Sequence, residues 1–369
     1  MPLVAHSELP TYQRLRAEGH VLLSPERAMS QDIRALHIGL LNMMPDAALA
    51  ATERQFFRLV SSSNTISQFY MHPFTLPEIE RGAHARQHID KFYEPLETIR
   101  EQGLDALIIS GANVTQPNLA QEVFWEPLID VINWAEENVT STLCSCLASH
   151  AVLQFKYGQK RRGLAEKMWG VFSHQVVDPS HPLVSDINTH FDVPHSRFNE
   201  VAADQFRDAG LRVLVEGSEP GVQLAVSPDG FRMVFFQGHP EYDIISLLKE
   251  YKREVGRFID GKIETYPPCP AHYFDQYSQA VLEEFRGYVE ASLLNGKPLP
   301  DFPEQLLLSR LRNTWHDSGE AVMGNWVGQI YQLTHSDRKL PYMVGIDPED
   351  PLQWLAGETA ESNHRKQDS

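Results

Sequence analysis

Three short apolar runs, each broken by a small or polar residue and followed by helical spacing, constrain this chain more than any other feature. Residues 35–42 (ALHIGLLN), 105–110 (DALIIS) and 141–144 (STLC) are apolar at most positions, as strands buried on both faces of a sheet are. After the first run, residues 47–61 place Leu49, Phe56, Phe57 and Val60 on one helical face. Residues 124–138 read as a second helix and 147–157 as a third, closed by Gly158. A further strand is expected near 65–71. Strands alternating with helices predict an α/β fold, a mostly parallel central sheet with helices on both faces.

The second half has a different rhythm. Short strands are expected at 170–177, 212–216, 222–226 and 232–237, with a type I turn at Ser227-Pro228-Asp229-Gly230. Residues 243–258 carry Ile244, Leu247, Leu248, Tyr251 and Val255 on one side of a helix, and 274–294 read as another. The charged stretch 75–97 reads as a surface excursion. After Gly296 strand signals become sparse. The expected organisation is an N-terminal arm at 1–34, a main domain at 35–296 and a C-terminal extension at 297–369, with no internal repeat.

Composition narrows the function. Of 369 residues, 42 % are hydrophobic and 22 % charged, which excludes disorder of the whole chain. A net charge of -17 argues against nucleic acid or an anionic membrane as partner. No apolar run approaches the length of a membrane span, and the N-terminus has no secretory pattern. The three cysteines, Cys144, Cys146 and Cys269, fit a reducing cytoplasm rather than a disulfide framework.

Cys146 stands where a buried strand would run into a helix, the geometry of a nucleophile elbow. A helix N-terminus favours a thiolate and offers N–H groups to an oxyanion. The bland alternative is a small buried core residue. Cys144, Cys146 and His150 lack a second pair of ligands at a usual metal spacing, so no metal is expected. Gln237-Gly238-His239-Pro240-Glu241 follows another strand. His239 and Glu241 supply the base and the orienting acid that a thiol nucleophile needs. Alone this segment is an ordinary surface turn; with Cys146 it puts three complementary groups at the carboxyl edge of one sheet. Gly111, in Ser110-Gly111-Ala112-Asn113, allows close backbone approach and a second oxyanion donor. Val193-Pro194-His195-Ser196-Arg197-Phe198 reads as either a pocket wall or a capped turn. Lys167 and Arg253 are candidate carboxylate holders, although most charges at 249–254 read as a solvated helix face. Cys269, among prolines, reads as a loop residue.

Taken in order, these motifs resemble a known family. Leu41-Asn42-Met43-Met44-Pro45, Ser110-Gly111-Ala112, Ser141-Thr142-Leu143 with Cys146, Gly170-Val171-Phe172-Ser173-His174, Val193-Pro194-His195-Ser196-Arg197 and Gly238-His239-Pro240-Glu241-Tyr242-Asp243 are similar to the MetA-type homoserine O-acyltransferases. The resemblance runs from about Glu8 to about Leu294. It implies a flavodoxin-like, class I glutamine-amidotransferase-like fold and a homodimer. It also implies an acyl-thioester on Cys146, His239 as proton acceptor with Glu241 as its partner, and substrate contacts from Lys167, Ser196 and Arg253. Thr115 falls where the family carries Glu for acetyl-CoA and Gly for succinyl-CoA. Further departures are Leu147 for Trp, His150 for Gln, Asn113 for Pro, and Asp46-Ala47 for a basic pair.

The implied reaction is ping-pong transfer of an acyl group from acyl-CoA to the hydroxyl of L-homoserine, the first committed step of methionine biosynthesis. Backbone N–H groups near Leu147 and Gly111 would hold the oxyanion. No bound cofactor is expected; the acyl-CoA is a co-substrate, and neutral Thr115 favours succinyl-CoA over acetyl-CoA, since it does not repel a distal carboxylate. Two alternatives stand beside this: a cysteine-dependent amidotransferase or hydrolase of the same fold, and a non-catalytic binding protein.

Overall fold

The computed structural model describes residues 3–353 except 21, 32 and 65. Thr65, the expected first residue of the second strand, and residues 354–369 of the C-terminal extension lie outside the described residues. The strands are β1 (Ala35–Met43), β2 (Gln68–Phe74), β3 (Ala106–Ala112), β4 (Ser141–Ser145), β5 (Arg162–Val176), β6 (His190–Glu200), β7 (Arg212–Gly217), β8 (Gly221–Val226) and β9 (Met233–Phe236). They form one sheet in the order β2-β1-β3-β4-β9-β8-β7-β5-β6. The block β2-β1-β3-β4-β9 is parallel throughout, and the remaining pairings are antiparallel.

Alternation along each strand divides the core in two. Ala106 and Ile108 of β3, with Val234 and Phe236 of β9, face one layer. It holds Phe56, Phe57 and Val60 of helix Asp46–Ser63 and Val322, Met323, Trp326, Val327 and Ile330 of helix His316–Leu333. Leu107, Ile109, Met233 and Phe235 face the other, with Leu128, Val131 and Ile132 of helix Trp125–Asn138 and Ala148, Ala151 and Val152 of helix Leu147–Tyr157. Helices thus cover both faces, as the alternation predicts. A third cluster joins helices Ser246–Ile259 and Gln276–Asn295 to Trp169 and Val171 of β5.

Helix Leu147–Tyr157 ends at Gly158 with φ 67, the left-handed cap its sequence calls for. Helix Ser246–Ile259 starts three residues later than its periodicity suggests. Asp243 is pinned by Arg54 and Arg58 before the first turn can form. The excursion 75–97 contains helix Ala83–Phe92. The segment 193–198 is not a capped turn but the middle of β6, whose outer position lets Pro194 sit in a strand without a ladder donor. Helix His316–Leu333 is built into the sheet's cover: Trp326 Nε1 donates to Ser141 Oγ at 2.8 Å, at the first residue of β4.

Candidate active site

Cys146 lies between β4 and helix Leu147–Tyr157 with φ 52 and ψ -108, a conformation that costs a non-glycine residue about 1–3 kcal/mol. Its backbone N–H donates to Phe236 O at 2.7 Å, and Ser149 Oγ donates to Cys144 O and Phe236 O at 2.8 and 2.9 Å. The turn lifts the half-buried Cys146 side chain out of the sheet, whereas Cys144 stays in the apolar core, where burial pushes its thiol up. Leu147 opens the helix, so its N–H has no intrahelical acceptor. Gly111, the next-to-last residue of β3, lies beside the elbow: a Cβ there would lie 3.8 Å from Cys146 Cβ and 3.4 Å from Met44 Sδ. Backbone from two elements therefore lies beside the Cys146 side chain.

β9 delivers the candidate base, His239. Beyond Phe236, Gly238 N donates to Gln223 Oε1 at 2.8 Å, and His239 N donates to Pro194 O at 2.8 Å. Gly238 cannot be larger, because a Cβ would fall 2.5 Å from Gln223 Oε1 and 2.8 Å from His195 Nε2. His239 Nδ1 bonds Glu241 Oε1 at 2.8 Å, and the charge of the Cys146 sulfur acts on its ring. It stacks on Tyr242 at 4.4 Å. Burial opposes charge on this ring, but the Glu241 carboxylate and the Cys146 sulfur outweigh it and hold the imidazolium well above the ordinary histidine range. The neighbouring buried rings behave oppositely: burial drives His150 down to about 3 and His174 down to about 4, and holds His195 far below its usual value, helped by Arg197. Charge is thus concentrated on the ring beside the sulfur.

The remaining candidates form a ledge on one side. Ser196 Oγ donates to Glu250 Oε2 at 2.7 Å, and Lys167 Nζ lies 3.5 Å from the same oxygen. Tyr242 OH donates to Glu250 Oε1 at 2.9 Å. Lys167 Nζ also sits 4.1 Å from the Trp169 ring centroid; burial lowers its pKa and Glu250 only partly restores it. Arg253 stands about one turn further along the helix, mostly exposed and bonded to Glu254 Oε1 at 3.1 Å. Thr115 lies in the loop after β3, where Glu122 Oε1 accepts the backbone N–H groups of Thr115 and Gln116 at 2.6 Å each.

Glu250 was absent from the sequence reading. It flanks the apolar stripe of its helix, and the acid-base run 249–254 resembles a solvated face; the structure instead gives it three donors. Arg54 and Arg58 were missed too. Both pair with Asp243, and Arg58 Nη2 donates to Glu241 O at 2.8 Å. Cys269 joins the Tyr251 cluster and has no part in the site.

Sheet, elbow and histidine–glutamate pair define an α/β protein with a thiol at the carboxyl edge of a mostly parallel sheet. A family model described as homoserine O-succinyltransferase matches residues 2–336. The chain is 63 % identical to the homoserine O-succinyltransferase of Allochromatium vinosum over 97 % of its own length and 100 % of the relative's. It is 62 % identical to that of Thioalkalivibrio nitratireducens over 96 % and 99 %. Among solved structures, it is similar to a glutamine amidotransferase from Thermotoga maritima with TM-score 0.46 and 10 % identity, covering 81 % of this chain and 99 % of that one. The chain belongs to the homoserine O-succinyltransferase family, acyltransferases of methionine biosynthesis. The family region reaches residue 336, beyond the limit near Leu294 read from motifs, and so includes helix His316–Leu333.

Proposed function

We propose that this chain transfers a succinyl group from succinyl-CoA to L-homoserine through a thioester on Cys146. The observation that carries this reading is the elbow cysteine beside a histidine whose Nδ1 bonds Glu241 Oε1 at 2.8 Å. His239 takes the thiol proton. Cys146 Sγ bonds to the acyl carbon, the carbon–sulfur bond to CoA breaks, and the departing thiolate recovers the proton from His239. The N–H groups of Leu147 and Gly111 face the oxyanion. In the second half, His239 accepts the hydroxyl proton of homoserine, the new carbon–oxygen bond forms, and Cys146 leaves. Lys167 and Arg253 suit the acceptor's α-carboxylate, Ser196 and Glu250 its ammonium. Neutral Thr115 favours succinyl-CoA over acetyl-CoA. These groups complete the reaction without a prosthetic cofactor.

The three free cysteines fit the cytoplasm as its compartment. A homodimer fits the exposed Tyr288 and Leu294 on helix Gln276–Asn295. The test is intact-protein mass spectrometry after incubation with each acyl-CoA in the absence of acceptor. A succinyl adduct on wild type, absent from Cys146→Ala, is expected; an adduct that survives Cys146→Ala would refute the thioester.

A further inference from the structure

The mechanism leaves Arg161, a cation beside the nucleophile, without a role. Arg161 sits between the end of helix Leu147–Tyr157 and the start of β5. Its Nη2 donates to Gln116 O at 3.2 Å, next to Thr115 in the loop that follows β3, whose Gly111 lies against Cys146. Its Nε is buried and has no partner. A buried donor left unmade costs about 1–3 kcal/mol, which an acceptor reaching this guanidinium would recover. Burial lowers the pKa of this guanidinium, while the charges of Glu122 and Cys146 sustain it; Arg161 is therefore within electrostatic range of the sulfur.

The chemistry of the vacant donor selects the ligand. A guanidinium offers a planar fork that matches a carboxylate in two parallel hydrogen bonds. In a succinyl group attached to Cys146, the distal carboxylate lies three carbon–carbon bonds from the acyl carbon, about 4 Å when extended. Glu122 is the acidic side chain of this corner. Its oxygens are taken up by the Thr115 and Gln116 N–H groups and by Thr115 Oγ1 at 3.3 Å. It thus braces the loop and offsets the charge of Arg161, with Nε still free.

We propose that Arg161 binds the distal carboxylate of the succinyl donor and is a specificity-determining residue of the acylation step. This rests on the succinyl-CoA reading above. The probe that isolates it is butyryl-CoA, which has the same chain length with a methyl group in place of the carboxylate. The ratio of acylation kcat/KM for succinyl-CoA to that for butyryl-CoA should fall about 10- to 100-fold in Arg161→Gln, the worth of a hydrogen bond to a charged group. Arg161→Lys, which keeps the charge and loses the fork, should recover part of it. An unchanged ratio in Arg161→Gln, with both donors slowed equally or neither slowed, would overturn the assignment and leave Arg161 a loop brace. A wild type acylated by acetyl-CoA and not by succinyl-CoA would overturn the donor reading itself, and this assignment with it.

Discussion

Replacing Glu241 by Gln keeps the shape of the histidine's partner and removes its charge. Glu241 Oε1 lies 2.8 Å from His239 Nδ1, and both side chains are buried. Two unit charges at that distance interact by about 6 kcal/mol at an effective dielectric of 20, an upper bound equal to roughly four pH units of protonation. With it gone, burial, which already opposes charge on His239, is countered by Cys146 alone. Less of the thiol's proton then rests on the ring, and the reactive ion pair becomes scarce. Acylation should slow about 10²- to 10⁴-fold near neutral pH, the range over which a positioned base matters. Its rate should also keep rising with pH across a range where the wild type is flat. The assay is the pre-steady-state burst of free CoA from succinyl-CoA between pH 5.5 and 9, with thermal unfolding of the variant as a check on folding. A burst within threefold of wild type, with a superimposable pH profile, would refute the claim that Glu241 charges His239.

Two predictions concern the frame. Trp326 is 1 % exposed, so Trp326→Ala should destabilise the protein by about 3–5 kcal/mol, read as a lower urea midpoint at unchanged slope; no shift would mean that helix His316–Leu333 is not part of the core. His37, packed on Tyr70 and beside His72, His6 and Arg338, is driven by burial down to about 3. The unfolded chain therefore binds more protons below about pH 6.5, and stability should fall as pH drops from there towards 3. His37→Gln should lose less of its melting temperature over that window, and parallel curves for the two proteins would contradict this.

The parallel half of the fold was legible because its signals are local. A strand buried on both faces shows itself as a run such as 105–110, and helix Leu147–Tyr157 announces both its apolar face and its glycine cap. Cys146 and His239 were legible for the same reason: each stands just past such a strand, and parallel neighbours bring those ends together. What escaped depends on distant partners. Glu250 is charged in a charged run, and only β5, β6 and Tyr242 make it a hub. Asp243 fits the start of a helix until two arginines from Asp46–Ser63 pull it out. The 193–198 segment carries a proline and polar side chains, which read as a turn unless one knows that β6 stands at the sheet's edge. Helix His316–Leu333 gains its place through contacts such as Trp326 to Ser141, for which no local pattern exists.

These long-range contacts explain how the strained Cys146 is kept in register with His239. Phe236, the last residue of β9, accepts the Cys146 N–H and the Ser149 hydroxyl through one carbonyl. Three residues on, the same segment bears His239, anchored by Gln223 through Gly238 and by Pro194 through its own N–H. Sulfur and imidazole are thus fixed to one stretch of backbone, and the strain at Cys146 is opposed by bonds that also position the base. Arg58 holds the carbonyl of Glu241, so the third member is fixed from the opposite layer. The ledge is tied into the same frame: Lys167, Ser196 and Glu250 come from β5, β6 and helix Ser246–Ile259, and Tyr242 both stacks on His239 and donates to Glu250. Ser196 stands two residues from Pro194, which anchors His239, so a change in the ledge should reach the histidine through β6 and Tyr242.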